Sequence, residues 1–302
     1  MDYILGVDGG GTKTLALLGD LNGNVLGRGV SGPSNTNAVG FDAACAALER
    51  ATKLARTNYP GEISAVCLGL AGAGRKEEIE QFRNWAIHEF PKAQVKVVSD
   101  AEVLLMASTP SGPALALICG TGSIVYGRTI TGEVIRAGGW GYLFGDEGSG
   151  YTIGISALRA VMRAHDGRGP ETLLSELVLE RYGLQTPPDL IHTIYRARSP
   201  RATAAALSDV VEQAAGWGDS VATAILEDSA RELVQAIAAV YPKLGTSRAP
   251  LVMTGATILH GRHLKQAFRH ACETQALTFT GVSDIAEPAE GSLQLARKLL
   301  LG

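Results

Sequence analysis

One pattern occurs twice along the chain: an apolar strand, a glycine-rich turn, a second strand, a tight turn and a third strand. The first copy, YILGVDGGGTKTLALLGDLNGNVLG, starts at Tyr3. The second, ALALICGTGSIVYGRTITGEVIRAGG, starts at Ala114. Aligning Gly23 with Gly132 places Gly11 on Gly120, Leu15 on Ile124 and Val25 on Val134, so the chain reads as a structural duplication. Glycine weakens a strand because its backbone loses the most entropy on folding. Three in a row, Gly9 to Gly11, therefore imply close approach of something to the backbone.

The rest of the chain fits the same plan. Strands are predicted over 3–8, 14–20, 24–30, 63–70 and 94–99, with helical period over 41–58 and 75–90. Asn22-Gly23 suits a tight hairpin turn, since both residues tolerate positive φ. The patch TPSGP at 109–113 marks a domain junction. Residues 149–241 are helical in pattern, broken near Gly167, Gly183, Pro187 and Gly216. A strand over 250–254, a helix over 262–275, a short strand over 277–280 and a helix over 288–300 follow. Strands alternating with helices predict an α/β architecture with parallel pairing. The 302 residues suit two domains. These are expected over 1–110 and 111–302, with the closing helix 288–300 free to pack back on the first.

Composition narrows the function classes. A formal net charge of −3 argues against nucleic acid or an anionic membrane as partner. No apolar run is long enough to span a bilayer. The start, Asp2 and then a strand pattern, is unlike a signal peptide, and a cytoplasmic location is expected. Cys45, Cys67, Cys119 and Cys272 are scattered without a CxxC pair, so they read as reduced core residues rather than zinc or iron–sulfur ligands. His88, His165, His192, His260, His263 and His270 read as surface residues without paired carboxylates.

The chemistry concentrates at the two glycine turns. Such a turn presents successive backbone N–H groups, an anion-binding nest. In the first, Thr12 and Thr14 add hydroxyls and Lys13 adds charge. It is neither a Walker A loop nor a dinucleotide fingerprint, because G-x-x-x-x-G-K-[ST] is absent and no helix follows. Gly120, Thr121, Gly122 and Ser123 repeat the device, and two such loops facing one another would hold a triphosphate from both sides. Asp8 and Asp100 end predicted parallel strands, where open α/β sheets place ligands. A carboxylate near phosphates ordinarily acts through Mg²⁺, which prefers oxygen ligands and keeps waters. The plainer readings are an Asx turn at Asn35, a helix cap at Asp146-Glu147 and simple packing at Trp140.

The ordered set DGGGTKT (8–14), VSDAE (98–102), LICGTGSI (117–124), GGWGYLFGDEGSG (138–150) and VMTGAT (252–257) resembles the sugar-kinase branch of the actin-like ATPase superfamily that includes hexokinase. More narrowly, it is similar to N-acetylglucosamine kinases and the related BadF/BcrA-type ATPases. The resemblance implies two RNase H-like (actin-like ATPase) domains, each with a mixed five-stranded sheet, and a cleft between them. It implies ATP-dependent phosphorylation of an amino sugar, most simply N-acetylglucosamine at its 6-hydroxyl, with glucosamine and N-acetylmuramic acid as substitutes, by a homodimer. Asp8 would hold Mg²⁺ through water, and Gly10, Gly11, Thr12 and Lys13 would embrace the phosphates together with Gly120, Thr121 and Gly122. Asp100 would be the general base. Asn35, Asp100, Thr121, Trp140, Gly141 and Asp146 would line the sugar site. Gly255 and Ala256 would lie against the adenosine, and Ala215 would face the adenine. The alternative is an ATPase activator of a radical dehydratase, whose relatives carry cysteines around a shared iron–sulfur cluster.

Overall fold

The computed structural model describes residues 2–71, 75–109 and 111–301, with the side chains of Asn37 and Ala107 left aside. The chain divides into two compact units. One takes the residues up to Ser111 and those from Glu287 on; the other is Gly112–Ala286. The first contains β1 (Asp2–Gly9), β2 (Thr14–Gly19), β3 (Val25–Ser31), α1 (Thr36–Val39), α2 (Phe41–Ala55), β4 (Glu62–Leu70), α3 (Lys76–Glu89), β5 (Gln94–Ser99) and α4 (Asp100–Ser108). The second contains β6 (Ala114–Cys119), β7 (Ser123–Arg128), β8 (Val134–Gly138), α5 (Gly150–His165), α6 (Leu174–Tyr182), α7 (Asp189–Tyr195), α8 (Pro200–Ala205), α9 (Ser208–Gly216) and α10 (Ser220–Val240). It continues with β9 (Ala249–Thr254), α11 (Ala256–His260), α12 (Arg262–Thr274) and β10 (Phe279–Asp284), and α13 (Ala289–Leu301) returns to the first unit.

The first sheet has the order β3-β2-β1-β4-β5. β1 to β3 form an antiparallel meander, and β4 and β5 add parallel to β1. β1 and β4 read as nearly unbroken apolar runs because helices cover both faces. Tyr3, Leu5 and Val7 point into a core that also holds Leu48 of α2 and Phe82 of α3. Ile4, Ala65 and Cys67 point the other way, onto Leu293 and Ala296 of α13. Gly6 permits that contact: a Cβ there would sit 2.2 Å from the backbone nitrogen of Leu293.

The second sheet repeats the plan in the order β10-β9-β6-β7-β8. Its meander, β6 to β8, corresponds to β1 to β3, and β9 and β10 pair in parallel as β4 and β5 do. The helical stretch resolves into α5 to α10, and the 21-residue α10 buries Leu226, Leu233, Val234 and Ile237 along one stripe.

Three expectations need correction. A helix, α4, follows directly on β5 where only a strand end at Asp100 was expected, and β10 runs over Phe279–Asp284 rather than 277–280. The turns of the duplication differ in length: Gly10 to Lys13 separate β1 from β2, whereas only Gly120 to Gly122 separate β6 from β7. Gly10 rather than Gly11 is therefore the counterpart of Gly120. Each is the first residue past its strand, and each donates its N–H across the turn, to the Lys13 and Gly122 carbonyls, both at 2.9 Å. The junction expected over 109–113 includes Pro110, which lies outside the described residues. Beside it, the Thr109 hydroxyl donates to the Ser111 carbonyl at 2.8 Å.

Candidate active site

In the first unit the sheet brings two carboxylates to the same end. Asp8 is the penultimate residue of β1, and Asp100 follows the last residue of β5, with β4 between them. Asp100 opens α4, whose N-terminus is capped by Ser99 accepting from the Glu102 N–H at 3.3 Å. The Asp100 carboxylate accepts from the Ala101 N–H at 2.8 Å, which orients it in the first helical turn. Burial, and then the negative charge of Asp100, push the Asp8 carboxyl up to about 7, while Lys13 pulls it back down. A carboxylate whose ionised form is disfavoured by burial and by a like charge is electrostatically uncompensated, and a divalent cation would supply what is missing. The oxygen donors suit Mg²⁺, which is usually held by one or two carboxylates plus substrate phosphates rather than by a full protein cage. Among the described residues no group of three or more His, Cys, Asp or Glu side chains is placed to hold a metal.

The first glycine turn lies at this end of the sheet. Gly9 is needed internally, because a Cβ would fall 2.4 Å from the Ser34 hydroxyl and 2.5 Å from the Leu70 side chain. At Gly11 an added Cβ meets nothing within 4 Å, so no packing within the chain explains that glycine. Gly11, Thr12 and Lys13 are exposed. Thr14, by contrast, is buried and spends its hydroxyl on the Gly32 carbonyl and the Ser34 hydroxyl, each at 2.8 Å. Ser34 also donates its N–H to the Gly10 carbonyl at 3.0 Å. This pins the segment carrying Asn35 beside the turn. Asn35 is at the same time the backbone start of α1, its carbonyl accepting from the Ala38 and Val39 N–H groups.

In the second unit the remaining predicted residues gather around the β6–β7 turn. The Gly120 carbonyl accepts from the Gly150 N–H at 2.8 Å and from the Thr257 hydroxyl at 3.0 Å, so α5 and α11 both start at the turn. Gly255, at φ 102°, passes so close that a Cβ would sit 2.4 Å from the Cys119 carbonyl oxygen, and Ala256 begins α11 beside it. Asp146 is buried, takes φ 61°, accepts from the Ser123 N–H at 3.3 Å and pairs with Arg201 at 2.6 Å. Gly122 lies against that pair, since a Cβ would fall within 2.7 Å of both side chains. Asp146 does not cap α5; Ser149 does, accepting from the Thr152 N–H. Gly138, Gly139 and Gly141 all take positive φ, and between them Trp140 is 63% exposed under the guanidinium of Arg136, 4.4 Å from its ring centre. Ala215 is buried in the unit's hydrophobic core near the end of α9.

Two partners were invisible in the sequence. Arg201 lies 55 residues from Asp146, and only the fold joins them. His263 is not an isolated surface residue: its Nδ1 is 3.1 Å from Glu212, which also accepts from the His263 and Leu264 N–H groups and so fixes the start of α12. The four cysteines are buried and unbridged. Burial pushes the thiols of Cys45 and Cys272 up to about 11 and those of Cys67 and Cys119 up to about 12. Such thiols stay protonated, whereas cluster ligation needs thiolates.

The model of the BadF/BadG/BcrA/BcrD ATPase family matches residues 5–296. An N-acetylmuramic acid/N-acetylglucosamine kinase from Clostridium acetobutylicum is 36% identical over 276 residues, covering 89% of this chain and 90% of that protein. An N-acetyl-D-glucosamine kinase from Dictyostelium discoideum is 35% identical over 273 residues, covering 85% and 86%. A crystal structure from Porphyromonas gingivalis, described as that of a candidate N-acetylglucosamine kinase, superposes with a TM-score of 0.80 at 23% identity over 98% and 99% of the two chains, a likeness of fold. No helix among the described residues is long and apolar enough to cross a membrane. With its two mixed five-stranded sheets and a match that runs nearly end to end, the chain belongs to the BadF/BadG/BcrA/BcrD ATPase family.

Proposed function

We propose that this chain is an amino-sugar kinase that transfers the terminal phosphoryl group of ATP to a hydroxyl of N-acetylglucosamine or a close relative. The observation that carries this reading is the pairing of Asp8 and Asp100 at one end of the first sheet, beside a glycine turn that packing alone does not explain. The kinases named above, related over most of the chain, support the substrate class.

Each residue then has a task. The N–H groups of Gly10, Gly11 and Thr12, with the Lys13 ammonium, bind phosphate oxygens, and Gly120, Thr121 and Gly122 offer the same donors in the second unit. Asp100 accepts the proton of the attacking sugar hydroxyl as that oxygen meets the γ-phosphorus. Asn35, Thr121, Trp140, Gly141 and Asp146 hold the sugar, with Asp146 kept in its rotamer by Arg201. Gly255 and Ala256 lie against the adenosine. Asp8 would hold Mg²⁺ through water, and that cation, when bound, would neutralise phosphate charge. Phosphoryl transfer asks little covalent chemistry of a protein, so positioning and charge compensation carry most of the rate.

A coupled ADP-release assay over N-acetylglucosamine, glucosamine, N-acetylmuramic acid, N-acetylmannosamine and glucose tests the reading. Stimulation well above basal ATP hydrolysis by one or more of the amino sugars is expected. ATP turnover that no sugar stimulates would overturn it.

A further inference from the structure

Where the end of α9 meets the corner between α11 and α12, glycines let three segments approach one another. Gly255 leads into α11 at φ 102°. A Cβ at Gly261 would fall 2.6 Å from the Thr257 carbonyl oxygen and 2.8 Å from a Glu212 carboxylate oxygen. Gly216 closes α9 in helical conformation, so its backbone asks for no glycine. A Cβ there would instead sit 3.2 Å from His263 Cε1 and 3.8 Å from its Nε2. The corner is built around one imidazole.

That ring is held from one side. Its Nδ1 is 3.1 Å from Glu212, whose carboxylate also accepts the backbone N–H groups of His263 and Leu264 at 2.8 and 2.9 Å. These two backbone bonds already secure the start of α12, so the helix end does not need the imidazole. The carboxylate acts on the ring instead by selecting its tautomer: Nδ1–H donates, and the neutral ring keeps its lone pair on Nε2. Nε2 has no hydrogen-bond partner among the described residues, and the side chain is 37% exposed, open enough for a ligand to reach. An oriented, unoccupied acceptor of this kind suits an N–H donor.

The helix α11 joins this acceptor to Gly255 and Ala256, the residues against which the adenosine lies on the kinase reading. Its five residues span about 7.5 Å at 1.5 Å per residue, comparable with the reach from a ribose to the far edge of its purine. Adenine carries an exocyclic amino donor at that edge, where guanine carries a carbonyl acceptor. We propose that His263 reads the base of the nucleotide: its Nε2 accepts the adenine amino group and sets a preference for ATP over GTP. The inference rests on the kinase reading and adds a specificity-determining residue outside the motifs that led to it. Because the ring is partly exposed, water replaces a missing donor, and the loss of this one bond is worth about tenfold.

The test measures phosphorylation of radiolabelled N-acetylglucosamine by the full chain with ATP, with GTP and with purine riboside triphosphate. The last is ATP with hydrogen in place of the amino group. Wild-type kcat/KM is expected to be about tenfold higher on ATP than on purine riboside triphosphate, and GTP should be used less well than ATP. His263→Ala should lose about tenfold on ATP and stay within about twofold on purine riboside triphosphate, with KM for the sugar unchanged. The wild-type comparison stands whether or not the variant folds: equal use of ATP and purine riboside triphosphate overturns the proposal. A loss in His263→Ala that falls equally on both nucleotides marks a structural side chain and overturns it as well. Either result leaves the kinase reading intact, whereas phosphorylation of no amino sugar from any nucleotide overturns that reading itself.

Discussion

The pairing of Asp8 with Asp100 makes a prediction about stability as well as turnover. Burial and the neighbouring charge raise the Asp8 carboxyl from 3.8 to about 7. The folded chain thus holds this proton more tightly than the unfolded chain. Without metal or nucleotide, stability should fall as pH rises from about 4 through about 7 and then level off. At about 1.4 kcal/mol per pH unit, the shift amounts to a ceiling of roughly 4 kcal/mol of destabilisation once Asp8 is ionised. Because Asp8 is only partly buried, solvent screening lowers this, and about 2 kcal/mol is the working figure. Asp8→Asn keeps the side-chain shape and removes the charge. At pH 8 in the presence of a chelator, the variant should therefore be more stable than wild type by about 2 kcal/mol, with the gap closing toward pH 4 as the native carboxyl takes up its proton.

The assay is urea unfolding followed by Trp85 fluorescence, with Trp140 and Trp217 replaced by Phe so that the signal reports the first unit alone. Mg²⁺ with ATP should then stabilise the wild type more than the variant, since only a ligand that binds the folded state shifts unfolding. Phosphorylation by the variant should fall to background. A variant no more stable than wild type at pH 8, or a difference that does not change with pH, would refute the electrostatic account of Asp8.

Asp100→Asn should fold normally by circular dichroism and lose about two to four orders of magnitude in kcat by coupled ADP release, the usual cost of a missing general base; retained turnover removes Asp100 from that role. Gly255→Ala should lower stability by about 2 kcal/mol or more in thermal unfolding, because it forces a side chain into positive φ and against the Cys119 carbonyl; an unchanged melting temperature would mean that the turn can move aside. Phe82→Ala empties a fully buried site between α3 and the first sheet and should cost about 3–5 kcal/mol in urea unfolding, with a loss below about 1 kcal/mol indicating that the core collapses to fill it.

What could be read from the sequence, and what could not, separates by distance along the chain. β1, β4 and the two meanders were legible because alternation, apolar runs and turn glycines are local signals. α4 was not: Ala101, Val103, Leu104 and Leu105 are all buried, so DAEVLLMAS shows no amphipathic period to betray a helix. The carboxylates Asp8 and Asp100 were legible as strand ends, since the end of a parallel strand follows from its own run of residues. The partners that orient the site were not. Arg201 stands 55 residues from Asp146, and Glu212 stands 51 from His263, and nothing in either neighbourhood signals the other. A cavity behind Arg201 is lined from α5, α7, the start of α8 and the segments that carry Tyr142, Arg168 and Arg198, so it follows from packing that no local pattern signals.

The one-residue difference between the two glycine turns clarifies how a duplicated scaffold confines its chemistry to one copy. The strand-end frames match: Gly9 corresponds to Cys119, Gly10 to Gly120, and the same N–H crosses each turn. On that frame the counterpart of Asp8 is Ile118, which in β6 faces Ile124 and Thr254 where Asp8 in β1 faces Leu15 and Gly69. A carboxylate at a sheet end is costly unless a cation answers it, and an isoleucine there costs nothing. The second copy thus keeps the backbone donors, which are useful to any anion, and drops the charge, which is useful only where a metal-bound phosphate must be met. The longer first turn leaves Thr12 and Lys13 exposed, and the shorter second turn brings Gly122 against Asp146 instead. On the kinase reading proposed above, the first copy is built to meet phosphate and the second adds the sugar contact at Asp146, a division that one fold, used twice with a single residue of difference in its turn, can supply.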